Sequence, residues 1–311
     1  MNLHRMLLER QSAGKPVTVG IVGAGTMGAG IATAFLSAGF AVTLAEMSGE
    51  ALARGVGSIR KALESGVKRG KMTAEAFEAT LARLAPVTDL AALSTADLIV
   101  EAVFEDMAVK KGLFEKLDAL AKPGAILASN TSTLDLDAIA AITKRPGDVV
   151  GLHFFSPAHV MRLLEIVRGK ATSDDVLATA MDLAKRLRKV PVLARVCDGF
   201  IGNRMVNAYF EQALLLIEEG ASPDQLDKAI EGWGMAMGPF RMSDMAGNDI
   251  GWAIRKRHYA EDPDGYQAII ADRLCAAGRF GQKSGAGWYR YPPGARKGEN
   301  DPFVAALIAA C

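Results

Sequence analysis

Residues 17–28 read VTVGIVGAGTMG. Val17 to Val22 form a short β-branched run, Gly23-x-Gly25-x-x-Gly28 follows at once, and a small-residue helical pattern continues through Ala38. The order is strand, tight turn, helix. Working outward, Gly39 stops the helix, Ala41 to Ala45 (AVTLA) reads as a second strand, and Glu46 stands just past its end, 18 positions after Gly28. Three closely spaced glycines are common by chance in a Gly-rich chain, so the flanking strand, helix and acidic residue decide the matter. The first two glycines allow the turn and a close approach of backbone to a pyrophosphate. The third allows helix and sheet to pack, and the helix N-terminus supplies positive potential. A carboxylate at Glu46 suits the ribose hydroxyls of an adenosine and repels a 2′-phosphate, so the motif points to NAD rather than NADP.

Beyond this unit, Ala96 to Val103 (ADLIVEAV), Ala125 to Ala128 (AILA), Val149 to Phe154 (VVGLHF) and Leu163 to Val167 (LLEIV) are short apolar runs separated by helical stretches such as Ala108 to Ala121. Alternating strands and helices imply an α/β domain, doubly wound in the Rossmann manner, with a mostly parallel sheet covered on both faces. After about Arg195 strand-like runs disappear. Phe200 to Glu219, Pro223 to Trp233 and Phe240 to Tyr259 carry helical spacing, which predicts a second, smaller, all-helical domain. The expected division is a linker helix in 1–15 (Leu3 to Arg10), a cofactor domain in 16–195, a helical domain in 196–295 and a tail in 296–311. The apolar end, Pro302 to Cys311, reads as an exposed helical stub without a cap, which suggests a piece of a longer chain.

Composition narrows the classes. The 311 residues are 50% hydrophobic and 23% charged, with 36 basic against 35 acidic side chains and a formal charge of +1, so a globular chain with no pull toward nucleic acid is expected. Cys197, Cys275 and Cys311 are widely spaced and support neither a disulfide framework nor a metal site. No apolar run reaches the length of a membrane span, and charges in Met1 to Lys15 break any signal-peptide core. A reducing, cytoplasmic location with no membrane partner is the expectation; Ala309-Ala310-Cys311 is no peroxisomal address.

Further segments follow the glycine motif in a fixed order: Ile99 to Glu105 (IVEAVFE), Ser129 to Ser132 (SNTS), His153 to Pro157 (HFFSP), Leu164 to Ile166 (LEI), Gly199 to Arg204 (GFIGNR), Met237 to Phe240 (MGPF), Gly281 to Gly285 (GQKSG) and Gly287 to Tyr289 (GWY). Together they resemble the 3-hydroxyacyl-CoA dehydrogenases of fatty-acid β-oxidation, from about Pro16 to about Tyr291. His153 to Glu165 (HFFSPAHVMRLLE) and Met242 to Trp252 (MSDMAGNDIGW) are most similar to the dehydrogenase part of multifunctional enzymes that also carry an enoyl-CoA hydratase. The resemblance implies NAD-dependent oxidation of (S)-3-hydroxyacyl-CoA to 3-oxoacyl-CoA in a cleft between the domains. It also implies a hydratase in the parent chain, and either pairing of two copies through the helical domain or a monomer, since an extra helical half in the multifunctional relatives covers the same surface.

Within that resemblance His153 falls on the catalytic base, a role suited to the side chain that titrates nearest neutrality. Glu165 is a carboxylate inside an apolar strand, where an unpartnered charge is costly, and the resemblance supplies His153 as its partner. Ser132 and Asn203 match the polar residues around the reacting carbon, although each type is also a common cap. Gly23, Gly25, Thr26, Met27, Gly28, Glu46, Val103, Phe104, Glu105, Lys110, Ser132, Ser156 and Lys283 match the cofactor contacts. Ser156 replaces the Asn usual in single-function members, and Lys110 also reads as part of a solvated face with Lys111 and Glu115. Arg69, with Lys68 and Lys71, takes the place of a CoA-binding lysine, against the ordinary reading of a solvated charge run. His4, His159 and His258 read as structural or solvent-facing. Two other classes stay open: an NAD-dependent hydroxy-acid or sugar-acid dehydrogenase of the same plan, with Arg162 or Arg204 as the carboxylate's cation, and a non-catalytic NAD-binding fragment.

Overall fold

The computed structural model describes residues 17–295 and 297–310. The expected helix at Leu3 to Arg10 lies outside them. Two compact units divide the chain after Arg204.

The first unit holds an eight-stranded sheet: β1 (Thr18–Val22), β2 (Ala41–Ala45), β3 (Leu84–Val87), β4 (Leu98–Glu101), β5 (Ile126–Ser129), β6 (Val149–Phe154), β7 (Leu163–Arg168) and β8 (Val190–Arg195), in the order β3-β2-β1-β4-β5-β6-β7-β8. Every neighbouring pair is parallel except β6 with β7. The order reverses between β1 and β4, the switch point at which doubly wound sheets open a crevice beyond their strand ends. Alternate residues face opposite cores, as a strand's period of two requires. Val19, Ile21, Leu98, Val100, Leu152, Phe154, Leu164 and Ile166 join one core, with Ile31 and Phe35 of α1 (Thr26–Ser37) and Ile59 and Leu63 of α2 (Gly49–Lys68). Val22, Ile99, Leu127, Val149 and Val167 face the other, with Phe114 and Leu117 of α4 (Met107–Leu120) and Ile139 of α5 (Leu136–Ala140). Burying a side chain such as Phe35 or Phe114 is worth about 1.5–3 kcal/mol, and both are fully buried. The unit is completed by α3 (Ala74–Leu81) and α6 (Asp174–Arg186).

The second unit is helical. It continues α7 (Gly202–Glu218) and contains α8 (Pro223–Trp233), α9 (Pro239–Ala246), α10 (Asn248–Glu261), α11 (Ile269–Ala276) and α12 (Pro302–Ala309). The single helix expected over Phe240 to Tyr259 is two, α9 and α10, because Gly247 takes φ +109° and turns the chain between them. Two buried aspartates tie the unit together. Asp227 accepts from the Phe240 and Arg241 amides at the start of α9 and from Tyr289 Oη; Asp244 accepts from the Trp288 and Tyr289 amides, Asn248 Nδ2 and Tyr291 Oη. The MGPF and GWY segments therefore serve helix capping and packing here. The expectation of an exposed stub is corrected in part: α12 starts on an Asp301 cap and packs Val304, Leu307 and Ile308 into this unit's core, while Phe303 stays exposed. Among the described residues no helix is long and apolar enough to cross a membrane.

Candidate active site

The C-terminal ends of β1, β4, β5 and β6 converge on a hollow of about 520 Å³ in the first unit. Its wall includes Gly25, Thr26, Met27, Val103, Phe104, Glu105, Lys110, Asn130, Ser132, His153, Ser156 and Asn203, which brings together most of the positions singled out in the sequence.

The facing of His153 and Glu165 is a product of register. Strand β7 runs antiparallel to β6, and the pairing sets His153 directly opposite Glu165. His153 Nδ1 lies 2.7 Å from Glu165 Oε2, with the two side chains 6% and 1% exposed. An ionised carboxylate only accepts, so Nδ1 carries the proton and Nε2 is left with its lone pair. The other carboxylate oxygen, Oε1, accepts from the backbone amides of Ile201 at 3.1 Å and Gly202 at 2.7 Å. Burial pushes the Glu165 carboxyl up, but the hydrogen bonds from His153 and from the Gly202 and Ile201 amides hold the group below the usual carboxylate range. Phe155 and Phe200 flank the imidazole, with ring centroids at 4.5 and 5.5 Å. Fully buried Phe200 adopts φ +47°, a left-handed conformation rare for a bulky residue, and follows Gly199 at φ +69°. That bend is what delivers the next two amides to Glu165.

Ser132 sits in the turn after β5, and this turn is organised by Glu105. Glu105 Oε1 accepts from Thr131 Oγ1 at 2.6 Å, the Ser132 amide at 2.8 Å and the Thr133 amide at 3.2 Å, while Ser132 Oγ is only loosely held at 3.4 Å. Asn130 Oδ1 accepts from the Phe154 amide, linking the same turn to the strand that bears His153. Burial raises the Glu105 carboxyl and Lys110 and the turn's donors lower it more, so it too stays below the usual range. Lys110 is not part of a solvated face. It is 1% exposed, with Nζ at 2.5 Å from Glu101 Oε1 and 3.2 Å from Glu105 Oε2. Glu101, at the end of β4 and completely buried, is a site residue the sequence reading missed. The signal was present, since a lone carboxylate in the apolar run LIVEAV calls for a partner as surely as the one in LLEIV.

The glycine turn meets the demands of a dinucleotide. Gly23 takes φ +99°, and a Cβ there would strike the Ala102 carbonyl; a Cβ on Gly28 would run into the carbonyl oxygen of Gly23. Above Gly25 the space is open. No side chain caps the N-terminus of α1, which leaves its first-turn amides for an anion. Glu46 stands where expected, its oxygens accepting from the Ala24 and Ser48 amides at 3.1 and 3.2 Å. These residues fit NAD: the turn and α1 for the pyrophosphate, Glu46 for the adenosine ribose.

The remaining expectations are placed elsewhere. Arg69 is exposed and folded back on Ser65, with its charge helping to lower the pKa of His159 after burial and Lys189. Lys283 lies in the helical unit, where Asp249 holds its ammonium at 2.5 Å. Among the described residues no group of three or more His, Cys, Asp or Glu could hold a metal.

Residues 18–197 match the family model for the 3-hydroxyacyl-CoA dehydrogenase NAD-binding domain, and 199–291 that for the 3-hydroxyacyl-CoA dehydrogenase C-terminal domain. The chain is 45% identical to a peroxisomal bifunctional enzyme of Danio rerio over 93% of this chain and 41% of that protein, so it spans about two fifths of that relative's length. Among solved structures, (S)-3-hydroxybutyryl-CoA dehydrogenase from Ralstonia eutropha aligns with TM-score 0.84 and 35% identity, covering 89% of this chain and 100% of that one. The dehydrogenase part of multifunctional enzyme 1 from C. elegans aligns with TM-score 0.68 and 31% identity over 95% and 67% of the two chains.

Proposed function

Because the chain belongs to the 3-hydroxyacyl-CoA dehydrogenase family, we propose that it interconverts an (S)-3-hydroxyacyl-CoA and the corresponding 3-oxoacyl-CoA in fatty-acid β-oxidation. The observation that carries this reading is the His153–Glu165 pair, with His153 near the end of β6 in the wall of the same hollow as the glycine turn. NAD, when bound, is the hydride acceptor. His153 Nε2 takes the hydroxyl proton as the carbon–oxygen double bond forms, and the resulting imidazolium is stabilised by Glu165 on its other nitrogen. Glu165 stays ionised because the Ile201 and Gly202 amides and His153 all favour its charged form. Ser132 and Asn203, which line the same hollow, are the polar partners of the reacting oxygen. Arg69 takes a phosphate of the CoA at the rim once it releases Ser65.

The helical unit exposes Met205, Trp233, Met245 and Ile250. Apolar side chains of this size are covered in the working protein by a second copy of the chain, which light scattering tests directly: a monomer at micromolar concentration would oppose it.

The decisive experiment is NADH oxidation with acetoacetyl-CoA and with a longer 3-oxoacyl-CoA, against NADPH and free acetoacetate. Turnover is expected with the thioesters and NADH only. His153→Ala should lower kcat by about 10²–10⁴-fold, the usual contribution of a positioned base. Turnover of free acetoacetate at a comparable rate, or a His153→Ala variant as fast as the wild type, would overturn the reading.

A further inference from the structure

The Ser132 turn is held at both ends by one chain of charges that runs from the buried Glu101 and Lys110 out to the exposed Glu105. At its start, Ser129 Oγ donates to Glu101 Oε2 at 2.7 Å and accepts from the Thr131 amide at 3.2 Å. Further along, Glu105 Oε1 gathers Thr131 Oγ1 and the Ser132 and Thr133 amides. Between the two carboxylates lies the Lys110 ammonium, bonded to both. Glu101 also accepts from the Val103 amide at 2.8 Å, which closes the coordination of its Oε1. Glu101 and Lys110 are fully buried and compensate each other without water, while Glu105, at the outer end, is 35% exposed.

We propose that Glu101 is a positioning residue: by sharing the Lys110 ammonium it fixes Glu105 in the orientation that keeps Ser132 facing the hollow. The inference rests on the reading of Ser132 as a partner of the substrate oxygen. Without the Glu101 charge, Lys110 is no longer fixed between two anions, and Glu105, which Lys110 anchors, loses the orientation that meets the Ser132 and Thr133 amides. The effect is on the geometry around the reacting oxygen, so it is felt in kcat more than in KM.

The test uses the full chain and Glu101→Gln, which keeps shape and removes charge. In the cofactor-free protein, hydrogen exchange at the Ser132 and Thr133 amides should quicken by about tenfold or more, as expected for loss of a strong acceptor. With NADH and acetoacetyl-CoA, kcat should fall about tenfold or more while KM for the thioester moves within about threefold. In a Ser132→Ala background the same substitution should cost less than about threefold, because the two act on one interaction. A second variant, Glu101→Leu/Lys110→Met, removes both charges while preserving apolar volume. It should melt close to the wild type yet retain the fast exchange and the low kcat. Unchanged exchange in Glu101→Gln, an equal kcat loss in both backgrounds, or a Glu101→Leu/Lys110→Met protein with wild-type kcat would each overturn the proposal. If Ser132→Ala alone keeps wild-type kcat, the assignment of Ser132 fails first and takes this inference with it.

Discussion

Glu165 divides its two oxygens between two tasks, one orienting His153 and one fastening the backbone at Ile201 and Gly202. Glu165→Gln keeps the shape but puts an amide where the imidazole needs an anion. A kcat lower by about 10²-fold or more, with NADH affinity retained, is expected from steady-state kinetics and fluorescence titration. Glu165 and Glu105 are both held below their ordinary value of 4.5 in the folded protein. Their ionised forms therefore add stability above about pH 4.5, and that stability is lost as pH falls through the lowered values. The thermal midpoint should drop on acidification through this range, and drop less in Glu165→Gln, which has no carboxyl to protonate at that position. An equal drop in both would show that other groups govern acid unfolding. Residue by residue, the sequence exposes a buried carboxylate only as an oddity in an apolar run. It names neither partner: Glu165 pairs across strands with a residue 12 positions away, and Glu101 with the first turns of the following helix.

Elements with strong local signals were legible. Val149 to Phe154 is a strand to the residue, and Pro223 to Trp233 a helix to the residue, because each is bounded by turn chemistry and uniform in its pattern. The edge strands β3 and β8 were not foreseen. Each contains a proline, Pro86 and Pro191, and each is half exposed, so neither the continuous apolar run of a central strand nor clean alternation is present. The turn between β1 and α1 was read correctly from its glycines. Its sharpest test is Gly28→Ala, whose new methyl meets the Gly23 carbonyl. Overpacking of this kind costs about 1–3 kcal/mol, and the NADH dissociation constant should rise by about tenfold or more. An unchanged constant would mean that the turn does not carry the pyrophosphate.

Across the whole molecule, the two units are stabilised by different means. The sheet unit has two apolar cores, whereas the helical unit is threaded by the buried aspartates Asp227 and Asp244. Asp244→Ala strands the Trp288 and Tyr289 amides without an acceptor. The cost is about 2–4 kcal/mol, read by denaturant unfolding monitored at Trp288. A loss under about 0.5 kcal/mol, the range of ordinary surface changes, would show that solvent replaces the carboxylate. The sequence marked this region through the GWY and MGPF segments but could not separate scaffolding from chemistry, because both demand particular residues at particular places. Only the strand pairing makes that separation for His153 and Glu165. What joins them is the ladder between β6 and β7, and the connecting loop enters only as a tether. The exposed side chains from His159 to Arg162 can therefore change composition while the ladder keeps His153 and Glu165 facing each other. The facing pair and the side chains of the loop between its strands are thus inherited separately: a lineage can rewrite the loop and pass the pair on intact.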